Sequence, residues 1–423
     1  MHAPERHTGD VGTESLIPKD EIVSSGTSSP HRLRILQGWL TAVSFSLLLA
    51  GTNLTTPLLP VYRAEIGFTP FMMSMSFVAY VSVLVVVLLL FSNRGVVRFS
   101  PLLVCVALIL AAGSDVVLGT ATTAGVLVGR ALAGVAGGIG TGAVAALVVA
   151  SLGARGRSVS ATGNLIGAVL GTSFAQLCVA LLGARAMYWT FLVHAIVCVC
   201  LVVVLASVLT LRSEENRRIL TNRDLPPSNA DRSVRAFHVR PFLGGCIAWS
   251  TISCAIVFLP SFFQSLGAPL LRAIGVLVLL VFCALGQIFS PRLYRFVPQA
   301  SGSAASWVGI SLLLIGGIFD NNTLSLLGFG LLGIGIGIKY RIGLLVLTLG
   351  AAPAEQSSLS SVYAATTYCV AATTVLVAGS MGESFGLDRF VPCLFLVLGL
   401  ITVAFSPWAP KLSDSVETES LSP

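Results

Sequence analysis

From residue 36 to residue 409 the chain alternates long apolar runs with short polar breaks, and inside the runs no two-residue alternation survives. Val83–Leu90, for example, is apolar at every position. A helix needs about 20 mostly apolar residues to cross a bilayer, because every backbone N–H and C=O must be satisfied within the segment. Runs and breaks predict twelve such spans, at 36–59, 71–92, 101–121, 124–150, 161–182, 187–211, 242–265, 272–290, 303–319, 323–350, 359–381 and 388–409. A membrane barrel would show polar and apolar residues in alternation, which these runs lack. The expected fold is therefore an all-α membrane protein, with twelve transmembrane helices in two pseudo-symmetric six-helix bundles.

The polar stretches divide the chain. Residues 1–35 are expected to be a disordered cytoplasmic tail, since Met1 to Pro30 has no apolar core of the signal-peptide kind. Residues 36–211 form the first bundle, 212–240 a cytoplasmic linker with Pro226, Pro227 and seven arginines, 241–410 the second bundle, and 411–423 a cytoplasmic C-terminal tail. With the N-terminus inside, 18 of the 25 Lys and Arg fall in tails and inner loops. Only Arg63, Arg185, Arg272 and Arg389 lie outside, and Arg130, Lys339 and Arg341 lie within spans. That bias places both termini in the cytoplasm. The chain is expected in the plasma membrane.

Composition narrows the function. The chain is 55% hydrophobic and 10% charged, with a mean hydropathy of +0.90, which excludes a soluble enzyme. The net charge of +7 is mostly inner-loop arginine; it points to anionic membrane lipids as partners and not to nucleic acid. All nine cysteines sit in apolar runs without a C-x-x-C pair, so they read as packing residues, and no metal or cofactor is expected. Walker, zincin and nucleophile-elbow sequences do not occur, and the Gly-x-Gly runs lack the strand that a nucleotide motif needs.

Weak internal symmetry links the halves. Span 4 ends in Ser151-Leu152-Gly153-Ala154 and span 10 in Thr348-Leu349-Gly350-Ala351, while span 1 ends in Pro57 to Tyr62 before Gly67-Phe68-Thr69 much as span 7 ends in Phe258 to Phe263 before Leu266-Gly267-Ala268. Such repeats mark transporters that rock one half against the other. In span 4, Leu127, Arg130 and Gly134 match the l-x-x-R-x-x-q-G pattern of the major facilitator superfamily, with Ala133 in place of the polar residue. In span 5, Gly163, Gly167 and Gly171 match the antiporter pattern G-x-x-x-G-P-x-x-G-G, with Ala168 and Thr172 as departures. The inner loop Ser92 to Arg98 resembles that family's signature in its arginines and glycine but has no aspartate, and the loops at 153–163 and 352–361 resemble its paired loops after spans 4 and 10. Over about residues 36 to 409 the chain thus resembles that superfamily, in its drug and metabolite efflux branch. The resemblance implies a twelve-span transporter fold and a place for Arg130 beside the central pathway.

Ionisable groups inside hydrocarbon cost about 2.5–3.5 kcal/mol each on insertion scales, so those that persist face a cavity or a partner. Asp115 is the one carboxylate well inside a span, and with Arg130 at similar depth it is the candidate for proton coupling, or for a permanent ion pair holding spans 3 and 4. Lys339 and Arg341, in span 10, point about 200° apart, so only one is expected to face a cavity. The substrate pathway is expected to include Arg130, Lys339, Arg341, Asn53, Gln176, Tyr363 and Thr367, while Thr55, Thr56, Gln264, Gln287 and Tyr368 are further polar candidates, each equally a helix–helix hydrogen bond. His194 is either a proton shuttle or a packed ring. Gly134, Gly163, Gly167 and Gly171 are expected at close helix contacts or sliding surfaces, and Pro57 and Pro60 should bend the outer end of span 1 where a gate can hinge.

The reading is a secondary transporter and not an enzyme: a monomeric, proton-coupled exporter of small organic molecules working by alternating access, with protons, lipid and a small-molecule substrate as its partners. Uptake or exchange of an organic anion or sugar is the alternative within this class. A non-transporting membrane sensor or scaffold is the alternative outside it.

Overall fold

A computed structural model describes residues 28–91, 98–152, 154–216, 239–348 and 353–416, with side-chain placement omitted at 28–31, 91, 154–165, 348, 353–358, 361 and 415–416. The tail 1–27, most of the linker, the loop at 92–97, Gly153, residues 349–352 and the last seven residues lie outside the described residues, so the expectations placed there are not addressed. Gly163 falls where only the backbone is described.

Span 1 is built as α1 (Ser28–Asn53) and α2 (Thr55–Glu65), interrupted at Leu54. The interruption has a local cause. Pro57 brings no N–H to the Asn53 carbonyl, and Pro60 none to Thr56, so the ladder loses two bonds within one turn. The first half continues with α3 (Pro70–Phe91), α4 (Ser100–Leu118), α5 (Thr123–Leu152), α6 (Ala154–Leu182) and α7 (Ala186–Leu211). The second half is α8 (Val239–Ser265), α9 (Pro269–Leu293), α10 (Ser303–Ile318), α11 (Asn322–Thr348), α12 (Pro353–Phe385) and α13 (Leu387–Phe405). A short α14 (Leu412–Val416) follows. Ten stretches are long and apolar enough to cross a membrane; one of them, Ile166–Leu211, holds both α6 and α7, and α10 is a shorter apolar helix, which brings the set to twelve.

The two halves repeat one packing scheme. In the first, α5 lies against α3 and α4, α1 against α5 and α6, and α4 against α7. In the second, α11 lies against α9 and α10, α8 against α11 and α12, and α10 against α13, so every pair recurs six spans later. The turns repeat too, with Gly67 and Gly267 at φ values of 70° and 69°, a conformation that side chains with a Cβ resist. The halves meet where α12 lies along α3, where α6 meets α9, and where α8 meets α2 and α3.

At the end bearing those turns, called outer after the charge bias, the core runs through both halves: Leu58, Tyr62, Phe68 and Met73 pack in one cluster with Phe258, Phe262 and Leu387. Phe71 N–H donates to Glu383 Oε2 at 3.2 Å across the boundary. At the opposite end a buried network holds the first half to the start of the linker. Gln37 donates to Ser151 Oγ at 3.2 Å and to Asn216 Oδ1 at 3.0 Å, and accepts from Arg212 Nη1 at 2.6 Å. Residues 212–216, read from sequence as linker, are thus anchored to α1 and α5. The start of the expected C-terminal tail is anchored likewise, by Leu412 and Ser413 N–H groups donating to Ala300 and Pro298 carbonyls at 3.0 and 2.9 Å.

Candidate functional site

Arg130 sits two turns into α5, 5% exposed. Its Nη1 donates to the Thr52 carbonyl of α1 at 2.6 Å and its Nε to the Ser76 carbonyl of α3 at 3.2 Å. The guanidinium also lies 4.5 Å from the centroid of the Tyr80 ring, a cation–π contact between two buried side chains. One side chain therefore ties three helices together next to the break in span 1. Among the described residues it has no carboxylate partner.

Asp115 does not pair with Arg130. Gly129 packs on Leu118 of α4, which turns the neighbouring Arg130 away from that helix. Asp115 instead receives His194 of α7, with Nδ1 and Oδ2 2.6 Å apart and both side chains at least 96% buried. The far ring nitrogen, Nε2, lies 3.0 Å from the Leu47 carbonyl of α1. That carbonyl can only accept, so the hydrogen-bond network assigns a hydrogen to Nε2. The Nδ1···Oδ2 contact then holds one proton, and the pair is neutral overall whichever atom carries it. Cys198 Sγ is 3.8 Å from Nδ1, which gathers three atoms of metal-ligand type. Two ligands on one tetrahedral zinc stand about 3.3 Å apart, given bonds of about 2.0 Å. At 2.6 Å the Asp115 and His194 atoms are disposed for a shared proton.

A model of the Major Facilitator Superfamily matches residues 40–373. The chain belongs to the major facilitator superfamily. It is a multi-pass membrane protein with a transporter fold, which implies a small-molecule substrate and not an enzyme's chemistry. The fold is similar to that of a bacterial homologue of the human lysosomal transporter Spinster in an inward-facing, occupied conformation (TM-score 0.69, 12% identity, covering 92% of this chain and 98% of that one). It is also similar to the xylose transporter XylE from E. coli in an inward open conformation (TM-score 0.59, 16% identity, 92% and 99% covered) and to the nucleoside transporter NupG (TM-score 0.63, 13% identity, 89% and 98% covered). A search of curated proteins finds no match.

In this facilitator the boundary between halves carries an aromatic group. Trp249 of α8 meets Tyr340 of α11 edge to face and Tyr368 of α12 at a tilt, with centroids 5.5 and 4.8 Å apart, and all three remain half-buried. Tyr368 packs in a cluster with Tyr80 and Val81 of α3, so the group abuts the Arg130 side of the first half. Half-buried Phe77 and Phe174 continue this lining on α3 and α6. The Trp249 indole N–H has no partner among the described residues.

The remaining candidates are placed as follows. Asn53 is half-buried and bonded within α1, to the Leu49 carbonyl at 2.8 Å. Gln176 is half-buried on α6. Tyr363 is fully buried, its hydroxyl donating to the Tyr340 carbonyl at 3.2 Å, and Thr367 bonds back to Ala364 in its own helix. Arg341 donates from Nη1 to the Gln287 carbonyl of α9. Lys339 is buried, and its helical neighbours one turn away pack on the second half's own helices: Gly335 on Ser306, Gly343 on Pro241 and Tyr363. Lys339 thus lies among helices of the second half. Gly134 lies on the α3 backbone, Gly167 and Gly171 on the α1 backbone, and Pro57 and Pro60 are buried in the outer core. The sequence reading missed Tyr80, Trp249 and the Asp115–His194 bond. A Tyr and a Trp at mid-span, away from the interfacial belts those residues favour, were the available signal.

Proposed function

We propose that this facilitator is a proton-coupled exporter of small, largely apolar organic molecules, working by alternating access between its two six-helix halves. The observation that carries the reading is the buried Asp115–His194 pair. It holds one proton, and release would leave an uncompensated negative charge in the apolar interior. It also grips α1 through Leu47, so the protonation state acts on the helix whose outer extension, α2, packs on the second half.

The half-buried rings of Trp249, Tyr340 and Tyr368 supply flat apolar surface with few polar groups, which suits an organic substrate with aromatic or alkyl parts. The glycines at 167 and 171, which resemble the antiporter pattern, support exchange of an entering proton for a leaving substrate. The charge bias supports a plasma-membrane protein with both termini cytoplasmic, and the linker expected at 212–240 joins the two halves. We read the working unit as a monomer.

The test is transport by the purified protein in liposomes with an imposed pH gradient, screened over aromatic and alkyl compounds. Wild type should accumulate substrate on the acidic side. Asp115→Asn, which can still bond to His194, should keep substrate exchange but lose gradient-driven accumulation. Unchanged accumulation in that variant refutes the coupling, and absence of flux for every compound refutes the substrate class. One observation favours a second reading, transport of an organic anion: Arg130 has no carboxylate partner at the boundary. Anions should then dominate the screen, and their flux should vanish in Arg130→Met.

A further inference from the structure

We propose that the second half binds a small monovalent anion near its inner end, held by Lys339, the hydroxyls of Ser303 and Thr402, and the N-terminus of α10. This site lies apart from the aromatic boundary and does not depend on the transport reading.

The internal repeat shows where Lys339 points. In α5, Gly134 and Gly138 rest on α3, with a Cβ there 3.1 Å from Leu84 N and 2.7 Å from Val87 Cβ respectively. In α11, Gly333 and Gly337 rest on α9 in the same way, 3.0 Å from Cys283 N and 3.1 Å from its carbonyl carbon. Gly134 thus corresponds to Gly333, Gly138 to Gly337, and Gly140 to Lys339. Gly140 faces Leu48 of α1 and Ala107 of α4, so Lys339 faces α8 and α10. The contacts of its own stripe agree. Gly335, one turn before it, lies on Ser306 and Gly302, and Gly343, one turn after it, lies on the Pro241 carbonyl of α8.

The spacing along α13 directs Thr402 to the same end of α10. Gly399 packs on Trp307 and Ile310 of α10, and Thr402, three residues on, follows that stripe toward the start of α10. There the packing turns polar, with groups that lack partners among the described residues. Lys339 is 5% exposed and has no hydrogen bond or ion pair among the described residues. Ser303 Oγ and Thr402 Oγ1 are buried and also unpartnered. Gly302, with φ 78°, starts α10 with no side-chain cap beyond a long 3.4 Å contact from Ser303 N–H to Ser301 Oγ. In the first half the equivalent place is apolar, filled by Leu48, Ala107 and Leu108.

A lysine by a helix N-terminus is the wrong charge, since that end carries about half a positive charge already. An ammonium, two unpartnered hydroxyls and the first N–H groups of α10 can all donate, and Lys339 has no carboxylate partner among the described residues, so one anion can satisfy the whole set. A single formal positive charge calls for a monovalent one. Chloride and a small carboxylate share this chemistry.

The experiment follows thermal unfolding of the full chain in detergent, at constant ionic strength, with gluconate replaced stepwise by chloride or by formate. Gluconate is too large to enter. At least one of the two small anions should raise Tm saturably in wild type, and whichever does so identifies the source. Lys339→Met should abolish the response, and Ser303→Ala with Thr402→Val should raise its midpoint concentration about tenfold or more. A wild type indifferent to both anions, or a Lys339→Met protein with the wild-type response, overturns the proposal. Should Lys339→Met not fold, an unchanged midpoint in the hydroxyl variant overturns it equally.

Discussion

Gly171→Ala places one methyl group between two helix backbones. Its Cβ would stand 2.7 Å from Ala50 Cα and 2.8 Å from the Ala50 carbonyl carbon, and closer still to the carbonyl oxygen. These are backbone atoms, so no rotamer change relieves them; α6 must move off α1 by roughly 1 Å to restore ordinary contact. A gap of 0.5–1 Å forfeits about a quarter to a half of each dispersion contact along the interface, and overpacking of this kind costs about 1–3 kcal/mol. Replacing a mid-helix glycine by alanine returns about 1 kcal/mol of helix propensity. The net expectation is a loss of up to about 2 kcal/mol. Gly142→Ala is the control, because a Cβ there meets nothing within 4 Å, and it should gain up to about 1 kcal/mol. Adding Gly167→Ala should cost little more, since Gly167 faces Ser46 and Leu49 on the same helix and one displacement serves both. Denaturant unfolding of the purified variants in detergent reads all three. A Gly171→Ala protein as stable as Gly142→Ala would refute the close approach of α6 to α1.

Two further substitutions probe the polar anchors. Arg130→Lys cannot span the Thr52 and Ser76 carbonyls and cover Tyr80 at once, so it should lose about 2–3 kcal/mol of stability and most transport while still reaching the membrane; wild-type stability would show that Arg130 does not bind α1 and α3 to α5. Gln37→Leu leaves Ser151, Arg212 and Asn216 short of partners and should cost about 1–3 kcal/mol, with protease cleavage near residues 212–216 appearing first; an unchanged cleavage pattern would detach that segment from the first half.

The spans were legible because each must be apolar over its whole length, and the break in span 1 because two prolines three residues apart remove donors wherever they sit. Facing was not legible. In α4, Leu102, Ile109 and Val116 are exposed on one stripe while Val104, Leu108 and Ala111 are buried on another, and both stripes are aliphatic. Lipid solvates the outside as well as the core does the inside, so the period of 3.6 loses its contrast. That is why the sequence leaves an Asp115–Arg130 pair open, the two being close in depth, although one faces α7 and the other α3. The repeat was visible, but its register was read two residues off, with Ser151 set against Thr348 where the glycine contacts set Gly134 against Gly333. Short motifs at span ends drift with loop length; backbone contacts between spans do not.

The departures from the repeat are as informative as the repeat. Gly129 rests on α4 at Leu118 and bonds to Ser114, and Gly328 rests on α10 at Leu313 and Gly309, so Asp115 corresponds to Ile310. Ile310 is wholly buried and aliphatic, while Asp115 at the matching place holds a shared proton with His194. The reverse holds one turn or more inward, where Lys339 replaces Gly140. On a scaffold whose two halves pack alike, each half thus accepts ionisable positions, Asp115 in the first and Lys339 in the second among them, that its twin shows can be filled without charge. Such positions cost about 2.5–3.5 kcal/mol each on insertion scales, and packing alone does not demand them. The negative one grips α1 from within the first half; the positive one lies between α8 and α10 in the second. If both serve the rocking of the halves, each does so from inside its own bundle, by changing how firmly α1 and α8, the equivalent first helices, are held. Substituting Asp115→Ile should then leave the first half folded but insensitive to pH, and wild-type pH dependence of transport in that variant would refute the assignment.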